Sequence, residues 1–153
     1  MKMFYSNRLH YLRERNGLTQ AQAGRLINLD SGTYSHYEKE EIFIPIKHLN
    51  TFANYYHVSI DYLFNFTVSL NYSLSKNFID KPLSGMRLKA FRKENKLTQD
   101  KLAKILNVSR STIAEYERGT NIIATPFLYT ICRKYNISAD YLLGKIDNPK
   151  YLK

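Results

Sequence analysis

The sequence contains almost no cysteine. Cys132 is the only one among 153 residues, so the chain has no internal disulfide framework and no cysteine-rich metal site. Because Cys132 aligns with Ala53 in an internal repeat, we predict that it is a small core residue. The four histidines follow no metal-ligand spacing. We therefore predict no metal site and no cofactor.

Long apolar runs are missing as well. No stretch of about 18 apolar residues exists, so no segment is predicted to span a membrane. Residues 1–15 hold five charged side chains and no apolar stretch, so no signal peptide is visible. These absences predict a cytoplasmic protein with no membrane partner. A Gly-rich phosphate loop, a metal set and a peptidase-like segment are also missing, so we predict that the protein is not an enzyme.

Basic charge is plentiful but unevenly distributed. The chain carries 23 Lys and Arg residues against 13 Asp and Glu residues, a net charge of +10. Residues 87–153 hold 14 basic and 6 acidic residues and therefore have a net charge of +8, whereas residues 1–66 have a net charge of +1. This asymmetry indicates a polyanionic partner that is attracted mainly by the second half of the chain.

A motif in the first half of the chain returns 79 residues later. The stretch Arg8–Gln20 recurs as Arg87–Gln99, and residues 8–65 share 19 identities at 58 positions with residues 87–144. A period this long, present twice, indicates two duplicated small domains rather than a solenoid, whose units are about 20–50 residues long and stack in larger numbers. We predict domain 1 at residues 1–66, a linker at residues 67–86 and domain 2 at residues 87–153.

Apolar spacing and capping residues predict the first three helices of the second repeat. Leu88 and Phe91 indicate a first helix. Thr98 is a suitable N-cap for the second, which is predicted to end at Asn107, a residue that tolerates left-handed backbone angles. Ser109 caps a third helix that runs to about residue 117. Its outward side chains are predicted to be Arg110, Ser111, Ala114, Glu115 and Arg118. Two helices joined in this way by a turn of about three residues form a helix-turn-helix.

Two further predicted helices complete the repeat. Thr125 caps a fourth helix with Pro126 at its first position, and Ser138 caps a short fifth helix that is closed by Gly144. The first repeat predicts the same order of helices, with N-caps at Thr19, Asp30 and Ser59. We therefore expect an all-α protein in which two tandem five-helix domains are joined by a linker of about 20 residues.

An ordered set of residues in the second repeat combines these caps, turns and core positions: Leu97, Thr98, Gln99, Leu102, Ala103, Leu106, Val108, Ser109, Ser111, Thr112, Ile113, Tyr116, Glu117, Gly119, Ser138, Asp140, Tyr141, Leu142, Leu143 and Gly144. The first repeat shares Leu18, Thr19, Gln20, Tyr37, Glu38, Ser59, Asp61, Tyr62 and Leu63. This pattern resembles the Cro/phage-repressor-type (xenobiotic-response-element) helix-turn-helix family. The resemblance covers about 116 of 153 residues and implies five-helix domains whose third helix enters the DNA major groove.

The resemblance also implies which side chains contact DNA. In domain 2 the base contacts would come from Arg110, Ser111 and Glu115, and the phosphate contacts from Gln99, Thr112 and Arg118. In domain 1 the candidate DNA contacts are Gln20, Ser31, His36 and Lys39. Two further pairs match a structural ion pair of the family, Arg92 with Glu117 and Arg13 with Glu38. The base-reading chemistry is suitable, because arginine binds guanine bidentately and glutamate accepts from cytosine.

Domain 1 departs from this pattern at its reading helix. It has Gly32 and Ser35 where domain 2 has Ser111 and Ala114, and glycine inside a helix costs about 0.5–1 kcal/mol relative to alanine. The following loop brings two acidic residues, Glu40 and Glu41, close to where phosphates would lie. His36 is either a hydrogen-bond donor to DNA or a surface side chain that does not contact DNA. We expect domain 1 to read DNA poorly or not at all.

Domain 1 is also rich in aromatic residues. The core-facing ones are predicted to be Tyr34, Tyr37, Phe52, Tyr56 and Phe64. Tyr11, Phe43 and Tyr55 are harder to bury, and aromatic side chains are enriched at protein interfaces. They indicate either a protein contact or ordinary packing at the edge of the core.

The predicted linker has its own pattern. Val68, Leu70, Tyr72 and Leu74 alternate with polar residues, which is the period of a half-buried strand. Such a segment pairs across a dimer, lies along a domain or forms an irregular connection. Fully extended, 20 residues reach roughly 65 Å, and successive half-sites lie about 34 Å apart. Both domains would then reach a single operator.

Two functions are consistent with these features. The first is a sequence-specific regulator of transcription, a bacterial or phage-encoded repressor that binds double-stranded DNA with the helix at 110–117 in the major groove. The alternative is a protein-binding module, an inhibitor or antitoxin-like protein that uses the aromatic-rich domain 1. Two DNA-binding domains predict two unlike half-sites, whereas a homodimer through domain 1 or the linker predicts a palindrome.

Overall fold

A computed structural model describes residues 5–70 and 75–152 of the chain. These residues form ten α-helices and contain no strand beyond an isolated antiparallel bridge between Ile137 and Tyr151. The chain divides into two compact units, the first ending at Ser75 and the second spanning Lys76–Leu152. The predicted all-α class with five helices in each unit is confirmed. Within the described residues, no helix has the length and apolarity needed to cross a membrane.

Each unit repeats the same order of helices. The first unit contains α1 (Tyr5–Arg15), α2 (Gln20–Arg25), α3 (Ser31–Glu38), α4 (Ile46–Tyr56) and α5 (Ile60–Leu63). The second unit contains α6 (Lys81–Glu94), α7 (Gln99–Leu106), α8 (Arg110–Arg118), α9 (Thr125–Tyr135) and α10 (Ala139–Leu142). In the second unit, α7 and α8 are the two helices of the helix-turn-helix.

Capping side chains fix where these helices begin. The hydroxyl of Thr98 accepts a hydrogen bond from the third backbone N–H of α7, and Ser109 does the same for α8. The turn between these helices uses Asn107 at φ 55°, in the left-handed region. Asparagine is one of the few residues with a side chain that enters this region at small cost. The predicted caps and the predicted turn are confirmed.

The start of α9 differs from the prediction. Thr125 is its first helical residue and Ala124 is the N-cap, without a capping side-chain hydrogen bond. Thr125 is 3% exposed, so its hydroxyl lies in the interior and not at the open end of the helix. Pro126 is still in the first turn, where its missing N–H removes no intrahelical hydrogen bond.

The first helix of the second unit begins earlier than the repeat indicates. Asp80 caps it by accepting from the N–H of Leu83 at 3.1 Å, so residues 81–86 of the predicted linker are helical. Gly85 lies in this extension, and a Cβ there would meet the carbonyl oxygen of Tyr116 at 2.7 Å. The glycine therefore lets α6 pack directly on the backbone of α8. This extension positions α8.

The alternating segment of the linker is not a half-buried strand in the part that the structure describes. Val68 and Leu70 lie outside any helix and are 86% and 45% exposed. In a half-buried strand the apolar side chains lie on the buried face, whereas these two side chains are exposed to solvent. The remaining two apolar positions of the pattern, Tyr72 and Leu74, lie outside the described residues.

Aromatic side chains dominate the core of the first unit. Tyr34 and Phe52 are fully buried and meet edge to face, with ring centroids 5.7 Å apart. Such pairs contribute about 0.5–1.5 kcal/mol beyond the area that they bury. The other predicted core aromatics are at most 8% exposed: Tyr37, Tyr56 and Phe64. The prediction for Cys132 is confirmed too, since it is fully buried in the second unit.

Candidate nucleic-acid interface

Helix α8 presents a cationic, polar outer face. Ile113 and Tyr116 point into the core and are 0% and 8% exposed, so the opposite side of the helix faces solvent. Arg110, Ser111 and Arg118 are exposed on it. A helix that is anchored through its apolar face and polar outside has the width that the major groove admits.

A buried ion pair holds α8 against α6. Nε of Arg92 lies 2.6 Å from Oε2 of Glu117, and Nη2 donates to Oε1 at 3.0 Å. The same guanidinium donates to the carbonyl oxygen of Leu97 at 3.0 Å, just before α7. Only 11% and 5% of the two side chains are exposed. The hydrogen bond to Glu117 raises the pKa of Arg92, which stays charged. Three helices of the second unit are thus joined at one point.

Gln99 connects this ion pair to the surface. Its Nε2 donates to Oε1 of Glu117 and its Oε1 accepts from Nε of Arg110, both at 3.3 Å. The contact engages Nε of Arg110 and leaves its two terminal nitrogens without a partner among the described residues. Those two nitrogens form the fork that binds guanine or phosphate. Gln99, which the sequence links to phosphate, also orients Arg110.

Hydroxyl groups cluster at the N-terminus of α8. The Oγ of Ser109 lies 3.0 Å from the Oγ of Ser111 and 2.9 Å from Oγ1 of Thr112. The N-terminus of a helix carries partial positive charge and free N–H groups, so it attracts anions. Ser111 and Thr112 therefore lie where a phosphate or a base edge would meet the first turn.

The outer face continues at Glu115. Its Oε2 accepts a hydrogen bond from Nδ2 of Asn121 at 2.9 Å. Asn121 lies in the loop after α8 and is exposed. The sequence identifies Glu115 but not Asn121, because the first repeat has Ile42 at the matching position. The structure thus brings all six predicted DNA contacts of the second unit onto or beside α8.

The first unit contains the equivalent buried network. Nε of Arg13 lies 2.7 Å from Oε1 of Glu38, and Nε2 of Gln20 donates to Oε2 at 3.0 Å. The hydroxyl of Tyr34 adds a third donor at 3.2 Å. Burial raises the pKa of Glu38, but the hydrogen bonds from Arg13 and Gln20 outweigh burial and hold this pKa below its usual range. Both sequence-identified ion pairs are therefore present.

The outer face of α3 differs from that of α8. Ser31 takes the position of Arg110, so no guanidinium follows Gln20 in the network. Ser35 Oγ donates to the carbonyl oxygen of Gly32 at 2.8 Å and so turns back on its own helix. Nδ1 of His36 lies 2.8 Å from Oε2 of Glu41. The exposed Lys39 is the C-cap of α3.

Each unit contains one further structural arginine, for which the sequence indicated no role. Nη1 of Arg87 donates to the carbonyl oxygens of Tyr141 and Ile146 at 2.7 and 2.6 Å, with its guanidinium 4.0 Å from the centre of the Tyr141 ring. In the first unit, Arg8 stacks at the same distance on Tyr62. The available signal was the identity of both residues in the two repeats. These arginines fix the fifth helix to the first.

The pKa of Glu38 implies a pH dependence of folding. A carboxylate whose folded pKa is depressed stabilises the fold above its unfolded value of about 4.3, and this contribution is lost as the pH falls through the folded pKa. We expect the unfolding temperature of the first unit to decrease as the pH is lowered below about 4.5. Amide hydrogen exchange in α3, followed against temperature at each pH, measures this unfolding temperature. In Glu38→Gln the decrease should be shallower, and parallel curves for the two proteins would contradict the assignment.

Comparison with known proteins agrees with this geometry. Residues 85–148 match a family model described as a helix-turn-helix domain, and residues 9–63 match a second one described as helix-turn-helix. The two matches fall on the two compact units. Each match includes the helix-turn-helix pair and the buried ion pair of its unit.

Similar curated proteins come from bacteria. The antitoxin PezA of Streptococcus pneumoniae is 37% identical over 67 residues, which are 42% of each chain. The helix-turn-helix-type transcriptional regulator ImmR of Bacillus subtilis is 39% identical over 61 residues, or 40% of this chain and 48% of ImmR. The chain thus spans about half the length of these two relatives.

A shorter relative is covered almost completely. The uncharacterized helix-turn-helix-type transcriptional regulator YazB of Bacillus subtilis is 40% identical over 58 residues, which are 38% of this chain and 84% of YazB. The names are those of transcriptional regulators and one antitoxin, and none is that of an enzyme. With its two family matches and the long match to YazB, the chain belongs to the Cro/phage-repressor-type helix-turn-helix family and contains two tandem copies of the domain.

Proposed function

We propose that this protein is a sequence-specific repressor that binds double-stranded DNA with α8 in the major groove and blocks transcription by occlusion. It would act in the bacterial cytoplasm, where its DNA lies. The observation that supports this best is the chain of contacts from the buried Arg92–Glu117 pair through Gln99 to Arg110. A base-reading side chain that is oriented before binding loses less entropy when DNA arrives.

The outer face of α8 divides into two kinds of contact. Arg110, Ser111 and Glu115 are suited to base edges, because their donors and acceptors point away from the core. Gln99, Thr112 and Arg118 are suited to phosphates at either end of the helix. Phosphate contacts fix the register, and base contacts carry the sequence information.

Charge supports the second unit as the principal reader. The net charge of +8 in residues 87–153 attracts the duplex by counterion release, which makes affinity strongly dependent on salt. In the first unit the candidate contacts Gln20, Ser31, His36 and Lys39 include no free guanidinium, and His36 is engaged by Glu41. The first unit therefore adds a weak, mainly nonspecific contact to DNA.

Selection from random duplexes by the full chain at physiological salt tests this proposal. We expect a motif with one strongly preferred guanine from Arg110 and a binding constant that falls steeply with salt. The symmetry of the motif reports on the first unit. Two unlike half-sites mean that both units read DNA, and a palindrome means that two chains pair through the first unit or the linker. A failure to enrich any motif would contradict the proposal.

A second candidate function is favoured by the exposed aromatics of the first unit. Tyr11, Phe43 and Tyr55 are 50%, 47% and 46% exposed, and aromatic side chains are enriched at protein interfaces. One relative, PezA, bears the name of an antitoxin. We propose as the alternative that the first unit binds a protein partner. A selected motif with a single half-site, read by the second unit alone, is the outcome that favours it.

A further inference from the structure

We infer that Asn121 positions the carboxylate of Glu115 so that α8 selects cytosine at one position of the DNA site. This inference rests on the proposed insertion of α8 in the major groove. Asn121, which lies outside α8, would then help to determine sequence specificity. The base pair that Glu115 contacts would have cytosine as its preferred base.

The contact itself is short and specific. Nδ2 of Asn121 donates to Oε2 of Glu115 at 2.9 Å, six residues along the chain. The hydrogen bond occupies one carboxylate oxygen and leaves Oε1 as an acceptor. A glutamate side chain on a helix surface otherwise samples several rotamers, and a ligand that must order it loses affinity. Asn121 reduces that loss of affinity, because it orders the side chain before DNA binds.

The loop that carries Asn121 is fixed at both ends. Gly119 ends α8 at φ 76°, and a Cβ there would meet the backbone of Pro82 at 3.1 Å, so the turn needs glycine. The N–H of Thr120 donates to the carbonyl oxygen of Glu115 at 3.1 Å. After Asn121, Ile123 is 3% exposed and anchors the loop in the core. The amide of Asn121 is therefore held at a constant place relative to α8.

The chemistry of the groove selects the base. Cytosine presents an amine donor from N4, whereas guanine and thymine present acceptors that repel a carboxylate. Adenine has an amine donor too, but its N7 acceptor lies beside it. A carboxylate among phosphates is favourable only where it accepts from such a donor. Glu115 with one free oxygen thus fits cytosine best.

The first unit provides an independent parallel at the same helical position. His36 takes the place of Glu115, and it is held by Glu41 at 2.8 Å instead of by an asparagine. Ile42 stands where the second unit has Asn121. In both units a residue of the following loop holds this side chain of the third helix, but the carboxylate lies on the helix in the second unit and in the loop in the first. The position is therefore a restrained one in either unit, and its chemistry differs between them.

Selection with the 153-residue chain and three variants tests the inference. Wild type should prefer cytosine at one position, and Glu115→Gln should change that preference to adenine, because glutamine binds its N6 and N7 bidentately. Asn121→Ala should reduce the cytosine preference by about 3–10-fold, the range expected for one hydrogen bond, and leave the other positions unchanged. Thr120→Ala is the matched control, since Thr120 uses only its backbone here, and its base preferences should equal those of wild type.

A double-mutant cycle separates positioning from an independent contact. In a Glu115→Ala background, Asn121→Ala should have no further effect on cytosine preference, because coupled residues are non-additive. If Asn121→Ala weakened binding equally to every DNA sequence, Asn121 would be a contact to the DNA phosphate backbone, and the inference would be overturned. An unchanged cytosine preference in Asn121→Ala would also overturn it. Both results leave the wild-type motif, and with it the proposed function, intact, whereas absence of any wild-type motif removes the proposed function itself.

Discussion

Replacing Arg92 with alanine is expected to destabilise the second unit by about 3–5 kcal/mol, because it leaves the carboxylate of Glu117 buried without its cation. Only 5% of the Glu117 side chain is exposed, so water cannot replace the lost guanidinium. The carbonyl oxygen of Leu97 loses its donor at the same time. A loss of this size is a large part of the free energy of unfolding of a small domain.

Urea unfolding followed by circular dichroism measures the effect. Lys93 is the matched control, since it is the next residue of α6, is exposed and carries the same positive charge. Lys93→Ala should change the free energy of unfolding by less than about 0.5 kcal/mol. Replacing both members of the pair, as in Arg92→Met with Glu117→Leu, should recover much of the stability, because no charge then stays buried. Equal losses for Arg92→Ala and Lys93→Ala would remove the pair from the list of structural determinants.

Most of the fold follows from local rules that can be applied to the sequence directly. Thr98, Ser109 and Asn107 act through their own side chains and backbone angles within one turn, so their roles are readable from neighbouring residues. The ion pair of Arg92 with Glu117 spans 25 residues. It was readable only because the repeat presents Arg13 and Glu38 in the same register and because the pattern resembles a known family.

The missed features depend on contacts that no local pattern shows. The start of α6 depends on Asp80 and on the close approach at Gly85, where the two repeats no longer align. The N-cap of α9 is Ala124 and not Thr125, because the side chain of Thr125 is buried and forms no capping hydrogen bond. Asn121 was missed because the first repeat has Ile42 there, so the duplication gave no signal for a polar role. The repeat reveals which residues the two units share and which differ, but the contacts that the differing residues make, such as that of Asn121 with Glu115, need coordinates.

The second large effect concerns binding. We expect Arg110→Ala to weaken binding to the selected site by about 1–3 kcal/mol and to remove the preference for guanine at one position. Its guanidinium is oriented by Gln99 through Nε, so in the proposed complex the terminal nitrogens would need little reorientation to bind the guanine edge. Fluorescence anisotropy with the selected duplex and with a duplex changed at that base measures both quantities.

Arg110→Lys separates the two contributions of this side chain. Lysine retains the charge, so the attraction to phosphates and the salt dependence should stay close to wild type, but it lacks the planar fork of arginine. The guanine preference should therefore fall sharply in this variant as well. Gln99→Ala should weaken binding to all sequences and, by releasing Arg110, reduce the guanine preference less than Arg110→Ala does.

Ser31→Ala in the first unit is the matched control for Arg110→Ala, because the two residues occupy the same position of the repeat. A serine hydroxyl has a single donor, and a neutral hydrogen bond to a base edge is worth about 0.5–1.5 kcal/mol, whereas a bidentate arginine contributes more. We therefore expect a clearly smaller loss for Ser31→Ala. Equal losses would show that both units read DNA with similar strength, and the second unit would no longer be the principal reader. The ranking of the units thus depends on a guanidinium that one reading helix has and the other lacks.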